Sequence, residues 1–258
     1  MVEQPTVREE RRARFRFGVR AVLAFVAVGL VAVPFSILVV LVTAKSDPLL
    51  HLDRDTADSL HSYALAHPAF TSAMKVVGRI GSPTAWWIVL TPVFVWLLYR
   101  RLPRLAAFLA VTALGSSLLN SLIKAAVDRA RPHLSDPLAT AHGTSFPSGH
   151  TQAATVGCGI LVLIFLPVVR RSLRAWLYAV AAVIVAVIGF SRIALGVHFF
   201  SDVIGAVIIG AAWLLAMTAA FSAWRRDEHK PPVRRGEGLE PEQRRRLSSA
   251  DVESAPPE

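Results

Sequence analysis

Six long apolar stretches, separated by short polar and arginine-rich segments, constrain this chain more than any other feature of its sequence. They cover residues 18–43, 84–99, 103–127, 151–169, 175–196 and 200–224. A helix needs about 20 apolar residues to cross the hydrocarbon of a bilayer, and a spanning segment must satisfy its backbone hydrogen bonds internally. The sequence therefore predicts an all-α fold, a polytopic membrane bundle of six transmembrane helices.

Charged residues are concentrated at the two ends of the chain and in the short segments between the apolar stretches. Residues 1–17 form a basic N-terminal tail, residues 18–224 the membrane domain, and residues 225–258 a tail rich in Arg, Glu and Pro. This last segment has too few apolar residues to build a core, so we expect it to be disordered. The first apolar stretch is long enough to span and lacks a convincing small-residue cleavage site, which predicts an uncleaved helix.

Arginines next to the apolar stretches predict the orientation of the bundle. Lys and Arg near the ends of spans stay cytoplasmic. The N-terminal tail, the segments 100–104 and 170–174, and the start of the C-terminal tail are all arginine-rich. We therefore expect a multi-pass plasma-membrane protein with both termini in the cytoplasm.

The formal net charge of +10 would also fit a nucleic-acid-binding protein. The basic residues lie beside apolar stretches and in the tails, however, where anionic lipid headgroups attract them. We therefore expect the bilayer as a partner and no nucleic acid. The only cysteine, Cys158, lies inside an apolar stretch, which excludes an internal disulfide and a thiolate metal cluster. No metal and no cofactor are expected, and the sequence leaves the oligomeric state open.

Polar residues collect in three segments at the ends of apolar stretches: K-A-A-V-D-R-A-R-P at 124–132, P-S-G-H at 147–150 and S-R-I-A-L-G-V-H-F-F-S-D at 191–202. The predicted orientation places all three on the outer side of the membrane. In the first segment, Lys124 and Arg131 are two helical turns apart and can lie on one face at the end of the third span. Taken alone, this pair is equally well explained by basic side chains that reach lipid phosphates.

The second segment lies at the start of the fourth span. Ser148 can cap that helix, and Gly149 lets a ligand approach the backbone. Free amides at a helix N-terminus favour an anion, which would then lie beside His150. Ordinary helix capping and a hydrogen-bonded interfacial histidine would explain the same residues.

The third segment combines a cation with a histidine and an acid. Arg192 offers a planar donor fork suited to phosphate oxygens, and Asp202 follows His198 by one helical turn. A carboxylate at this spacing can fix the imidazole tautomer and stabilise its cation, although a structural ion pair has the same spacing. Together the three segments supply three cations, a helix N-terminus and two histidines, which is what phosphoryl transfer needs when no metal is present.

These segments resemble the three signatures of the type-2 phosphatidic acid phosphatase superfamily. The signatures are Lys, six residues, Arg-Pro; Pro-Ser-Gly-His; and Ser-Arg, five residues, His, three residues, Asp. Every signature position is matched, and the resemblance covers roughly residues 84–224. The six-span plan is similar to that of the membrane lipid-phosphatase branch.

The resemblance implies a role for each matching residue. Phosphate would be held by Lys124, Arg131, Arg192 and the amides of Ser148 and Gly149. His198 would be the nucleophile, oriented by Asp202, and His150 would be the general acid that later activates water.

The resemblance implies an integral membrane lipid phosphatase that acts through a phosphohistidine intermediate. Its substrate candidates are undecaprenyl diphosphate, phosphatidylglycerophosphate and phosphatidic acid, and an outward-facing site favours the polyprenyl diphosphate. Lipid phosphotransferases of the same family remain an alternative, whereas six spans argue against its soluble vanadium haloperoxidases. A non-hydrolytic lipid transporter or flippase would use the same cations, but it has no need for His198 spaced to Asp202.

Overall fold

The structure is a computed structural model that describes residues 29, 32–227 and 238–240. Every regular element in these ranges is helical, so the all-α prediction is confirmed there. The α-helices, in chain order, are α1 (Ala32–Thr43), α2 (Asp47–Ala66), α3 (Pro68–Ile80), α4 (Pro83–Tyr99), α5 (Pro103–Val127), α6 (Gly149–Phe165), α7 (Arg174–Ala194) and α8 (Phe200–Asp227). The predicted N-terminal tail and the start of the first predicted span lie outside the described residues.

The lengths and composition of the helices support a multi-pass membrane protein, but they do not define the number of spans. Three segments are long and apolar enough to cross a membrane: Pro103–Val127, Arg171–Ala194 and Phe200–Arg225. The pairs α1 with α2 and α3 with α4 meet the same criterion only jointly, across bends of 85° and 44°. Helix α6 is apolar but has only 17 residues. The described part of the chain thus contains three candidate spans, or up to five if each bent pair is one span, and the predicted six are not confirmed.

Two helices, α2 and α3, lie between α1 and α4. Helices α2 to α5 each have a proline in their first turn, where the missing amide leaves no bond unmade. Helices α2 and α3 both pack against α7, and α2 also packs against α8. The N-terminal helices therefore contribute directly to the end of the bundle where α7 leads into α8.

Helix α6 lies at the centre of the bundle and packs against α4, α5, α7 and α8. Its Ile160 and Ile164 are fully buried together with Phe108 of α5 and Leu97 of α4. Burying side chains of this size stabilises the fold by about 2 kcal/mol each. The polar first turn of α6 is therefore held in place by an apolar core that lies deeper along the same helix.

Three residues of the C-terminal tail pack against the bundle at the end opposite to that first turn. Leu239 is buried in the apolar core, and Glu240 is buried between Arg104 at the start of α5 and Arg225 near the end of α8. Gly238 has a φ of +80°, and Pro167 occupies the space that a side chain would need. Disorder of the remaining tail stays a prediction, since residues 228–237 and 241–258 lie outside the described residues.

Candidate active site

His198 and Asp202 come together in the short connection between α7 and α8. The amides of Val197 and His198 both donate to the carbonyl of Arg192, at 3.2 and 3.3 Å, which folds the chain back over the end of α7. Helix α8 then begins at Phe200, so Asp202 lies in its first turn. His198 Nδ1 is 3.3 Å from Asp202 Oδ2, as the four-residue spacing predicts.

Hydrogen bonds define the tautomer of His198. Arg131 Nη1 lies 3.1 Å from His198 Nε2, and because a guanidinium only donates, Nε2 must accept. The ring proton then resides on Nδ1 and points to Asp202. Burial lowers the pKa of His198 from 6.5 to about 4, although the hydrogen bond to Asp202 acts in the opposite direction. At neutral pH the imidazole is therefore uncharged, with the lone pair of Nε2 directed toward Arg131.

Lys124 and Arg131 hold the loop between α5 and α6, but they do not share a helix face. Helix α5 ends at Val127, because Asp128 adopts a left-handed conformation with a φ of 45° and terminates the helix. The prediction that Arg131 extends the helical face of Lys124 is therefore wrong. The Lys124 Nζ donates to the Thr144 carbonyl at 2.6 Å from the last turn of α5.

Arg131 instead lies in the loop after α5, with each of its nitrogens donating to a backbone carbonyl. Its Nε donates to Gly143 at 3.0 Å, its Nη2 to His142 at 3.1 Å and its Nη1 to Val197 at 2.8 Å. These bonds bring two loops together at the site. Because Arg131 lies in a non-helical segment, helical periodicity cannot predict where its guanidinium lies.

Arg192 approaches the site from the last turn of α7. It is buried, and its Nε has no hydrogen-bond partner among the described residues. The guanidinium lies against Gly78 of α3, where a Cβ would be 2.5 Å from Nη1. In the described ranges, none of the three signature cations, Lys124, Arg131 and Arg192, forms an ion pair with a carboxylate.

The first residues of α6 complete the site, but the Ser148 amide is not free to bind phosphate as expected. Ser148 is the N-cap residue of α6, but its amide donates to the Asp202 carbonyl at 3.1 Å and its Oγ accepts from Thr151 Oγ1 at 3.1 Å. The Ser148 amide, expected to bind phosphate, is thus already used to join α6 to α8. The Gly149 amide begins the helix and has no intrahelical partner.

His150 follows Gly149 in the first turn of α6 and is half-buried. Burial, and after it the charges of Arg192, His198, Arg131 and Lys124, lower the pKa of His150 from 6.5 to about 3, so its imidazole is neutral when no anion is bound. The structure therefore brings both histidines and all three signature cations into one cluster at one end of the bundle.

Sequence reasoning missed a polar ladder that fixes α6 against α5. Asn120 Nδ2 donates to Gln152 Oε1 at 2.8 Å, and Gln152 Nε2 donates to Ser116 Oγ at 3.0 Å. Ser116, Asn120 and Lys124 are each one helical turn apart, and this polar spacing within an apolar helix was the available signal. Arg129, inside the first signature, was also passed over, although its Nη1 donates to Asp202 Oδ1 at 2.7 Å.

Known proteins resemble this chain in the segment that carries the three signatures. The sequence profile of the PAP2 superfamily matches residues 104–226. Phosphatidylglycerophosphatase B of Bacillus subtilis is 35% identical over 96 residues, which are 36% of this chain and 46% of that protein. Lipid A 1-phosphatase of Rhizobium johnstonii is 34% identical over 130 residues, which are 46% of this chain and 48% of that protein. The chain thus spans about half the length of the curated relatives that it matches.

Two solved structures share the fold. The crystal structure of a transmembrane PAP2-type phosphatidylglycerolphosphate phosphatase from Bacillus subtilis matches with a TM-score of 0.63 and 21% identity, over 79% of this chain and 99% of that one. The structure of LpxE from Aquifex aeolicus matches with a TM-score of 0.52 and 23% identity, over 65% of this chain and 95% of that one. Residues 104–226, which carry all three signatures, are thus similar to the PAP2 superfamily, and the helical fold is that of these membrane phosphatase structures.

Proposed function

We propose that this protein is an integral membrane lipid phosphatase that acts through a phosphohistidine intermediate and without a metal ion. One observation carries the proposal: the lone pair of a neutral, buried His198 is directed into a cluster of cations that form no ion pair with a carboxylate in the described ranges. A tetrahedral phosphate would supply the missing negative charge next to a nucleophile. Relatives that are named as phosphatases support the same reaction class.

In the first step, His198 Nε2 attacks phosphorus, and the phosphorus–nitrogen bond forms as the bond to the lipid oxygen breaks. The negative charge of the bound phosphate offsets the cations around His150 and favours its protonated form. His150 then donates a proton to the departing oxygen, while Asp202 accepts the Nδ1 hydrogen bond and stabilises the imidazolium charge. Lys124, Arg131 and Arg192 stabilise the charge on the three remaining phosphoryl oxygens.

In the second step, water attacks the phosphorus of the phosphohistidine. His150, now neutral, takes the proton of that water, and the electron pair of the phosphorus–nitrogen bond returns to Nε2 of His198. Inorganic phosphate leaves, and both histidines regain their starting protonation. One residue therefore acts first as an acid and then as a base.

A large apolar cavity supports an amphiphilic substrate. It has a volume of about 830 Å³ and lies between α2, α6, α7 and α8, with Leu60, Phe200 and Val203 among its lining residues. Phe200 and Val203 are chain neighbours of the catalytic pair, so the cavity approaches the site from the apolar part of the bundle. A lipid tail would bury its methylenes there at about 0.8 kcal/mol each while its phosphate meets the cations.

Phosphate release by the purified chain in detergent tests this function. We propose a panel of phosphatidylglycerophosphate, phosphatidic acid, undecaprenyl diphosphate and a lipid A 1-phosphate, the first and last chosen for the names of the relatives. Activity should survive EDTA, and mass spectrometry of His150→Ala should find a phosphate adduct on His198 because hydrolysis of the intermediate is slowed. Activity that is lost in EDTA and restored by Mg²⁺ would contradict the metal-free mechanism.

The same assay separates the alternative functions. A transporter requires two compartments and would release no phosphate in detergent. A phosphotransferase would place the phosphate on an added acceptor lipid, so the ratio of free phosphate to phosphorylated acceptor distinguishes it from a hydrolase.

We further propose that the site faces the periplasm or the cell exterior and that both termini are cytoplasmic. The arginine-rich segments 100–104 and 170–174 support this orientation. Ser135 in the site loop and Ser172 in the segment before α7 are both exposed and form a matched pair for labelling. In a Cys158→Ala background and in intact cells, an impermeant maleimide should label Ser135→Cys and spare Ser172→Cys, whereas the reverse pattern would invert the orientation.

A further inference from the structure

Arg129 joins two buried carboxylates that belong to helices far apart in the chain. Its Nη1 donates to Asp202 Oδ1 at 2.7 Å, and its Nη2 donates to Asp53 Oδ2 at 2.7 Å. Asp53 lies on α2, and Asp202 lies in the first turn of α8. Both carboxylates are fully buried, and the Arg129 side chain is only 10% exposed. A rigid guanidinium fork is therefore fixed between two acids.

Ser201 and Phe199 complete this network. The Ser201 amide donates to Asp53 Oδ1 at 2.9 Å, and its hydroxyl donates to Asp53 Oδ2 at 2.5 Å. Because that amide belongs to the first turn of α8 and lacks an intrahelical partner, Asp53 caps α8 from another helix. The ring of Phe199 lies 4.3 Å from Arg129 Cζ and fixes the plane of the guanidinium.

We propose that Arg129 and Asp53 are positioning residues that orient Asp202 and, through it, His198. The inference rests on the proposed function, because it takes His198 as the nucleophile. Asp202 Oδ1 is held by Arg129, while Oδ2 accepts from the Phe199 amide at 2.9 Å and faces His198 Nδ1 at 3.3 Å. The carboxylate cannot rotate away from the imidazole without breaking a charge-assisted hydrogen bond.

The same network sets the charge beside the nucleophile. Two carboxylates and one guanidinium leave a net negative charge next to His198, which favours the imidazolium that forms during attack. Loss of Arg129 would leave the two acids buried without their shared cation. Loss of the Asp53 charge would let Arg129 neutralise Asp202 alone, which weakens the pull of Asp202 on the Nδ1 proton.

Steady-state kinetics of Arg129→Gln and Asp53→Asn in the full chain test this inference. Neither side chain is placed to touch phosphate, so kcat should fall about 10- to 100-fold while KM stays within about threefold. Arg129→Lys should recover part of the rate, because an ammonium retains the charge without the fork. Arg79→Gln and Asp55→Asn change exposed residues of the same types on α3 and α2 and should keep the wild-type kcat.

A double-mutant cycle with Asp202→Asn separates positioning from a general structural role. If Arg129 acts through Asp202, adding Arg129→Gln to Asp202→Asn should lower kcat by less than about twofold. Losses that multiply in full, or a wild-type kcat in Arg129→Gln, would overturn the inference. Should Arg129→Gln fail to accumulate in the membrane, Asp53→Asn preserves the side-chain shape and runs the same cycle.

His198→Ala distinguishes failure of this inference from failure of the proposed function. Normal turnover by His198→Ala would remove the proposed nucleophile, and the positioning inference with it. An inactive His198→Ala, together with unaffected Arg129→Gln and Asp53→Asn, would overturn the positioning inference alone.

Discussion

Cations lie near both ends of α5, and they have different partners at the two ends. Arg104 begins the helix and Lys124 lies in its last turn, about 30 Å away along the helix axis. At the Arg104 end, which we call the tail end, Glu240 Oε1 lies 3.0 Å from Arg104 Nη1 and Oε2 lies 3.6 Å from Arg225 Nη1. At the Lys124 end, the site end, Lys124 and Arg131 donate to backbone carbonyls, and Asp202 is engaged by Arg129 and His198.

This difference indicates which cluster is structural and which is prepared for a ligand. A buried charge is costly unless it is paired, and removing one partner of a buried pair leaves an uncompensated charge. The tail end carries its own anion, so its cations stabilise the fold. At the site end, Lys124 and Arg131 donate to neutral backbone carbonyls and pair with no carboxylate in the described ranges, so under the proposed function an incoming phosphate can replace these carbonyls with a stronger partner.

Replacing Arg192 with alanine should give the largest effect and sharpen the comparison. We expect kcat/KM for phosphate release to fall by about 10³, since one donor to the transition-state oxygens is lost. Thermal stability should stay the same or rise, because a buried guanidinium without a carboxylate partner is removed. Arg79→Ala, at an exposed position, is the control, and a large loss of stability in Arg192→Ala would mean that the site-end cations are structural after all.

Replacing Glu240 with glutamine should give the converse result. The variant removes the buried carboxylate that contacts Arg104 and Arg225, which should lower the free energy of unfolding by about 3 kcal/mol, measured by denaturant titration in detergent. Turnover at a temperature where the variant is folded should remain near normal. Asp136→Asn at an exposed loop position provides the control. A fall in kcat comparable to that of Arg192→Ala would break the distinction between the two ends.

An anion should stabilise the protein only through the site end. Vanadate at about 100 times its dissociation constant should add about 2.7 kcal/mol to the free energy of unfolding of the wild type. Glu240→Gln should gain a similar increment, whereas Arg192→Ala should gain much less at the same concentration. Equal gains in all three proteins would show that the anion binds elsewhere.

The pH dependence of stability also distinguishes the two ends, because among the described residues only the site-end cluster includes a histidine. The pKa of His198 falls from 6.5 to about 4 on folding, because burial disfavours its cation. Between these values the unfolded chain binds one more proton at this residue than the folded chain does. The contribution of His198 to stability should therefore rise with pH from about 4 to 6.5 and then level off. The measurement is the free energy of unfolding of the wild type minus that of His198→Gln at each pH. A difference that is independent of pH would contradict the lowered pKa of His198.

Local patterns in the sequence predicted most residues of the site but few of the long-range contacts that hold them in place. The apolar stretches predicted helices α4 to α8, and the fixed spacing of His198 and Asp202 predicted their contact, because both properties depend on a single segment. The Asp53 contact with Ser201 spans 148 residues, and no periodicity in either segment points to the other. Two predictions failed for a related reason. The left-handed Asp128 ends α5 before Arg131, and the carbonyl of Asp202 accepts from the Ser148 amide that was expected to bind phosphate. Burial of Leu239 could not be predicted from a polar tail.

The contact between Gly78 and Arg192 bears on whether the region that carries the three signatures is a separable module. The family match covers residues 104–226, yet α3 supplies the glycine beside the Arg192 guanidinium and α2 supplies the cap of α8. A chimera that grafts residues 104–226 onto foreign N-terminal helices would inherit every signature residue without these supports. Helices α2 and α3 and the signature region therefore have to change together, and residue 78 is a position where one added methyl group would force the guanidinium to move.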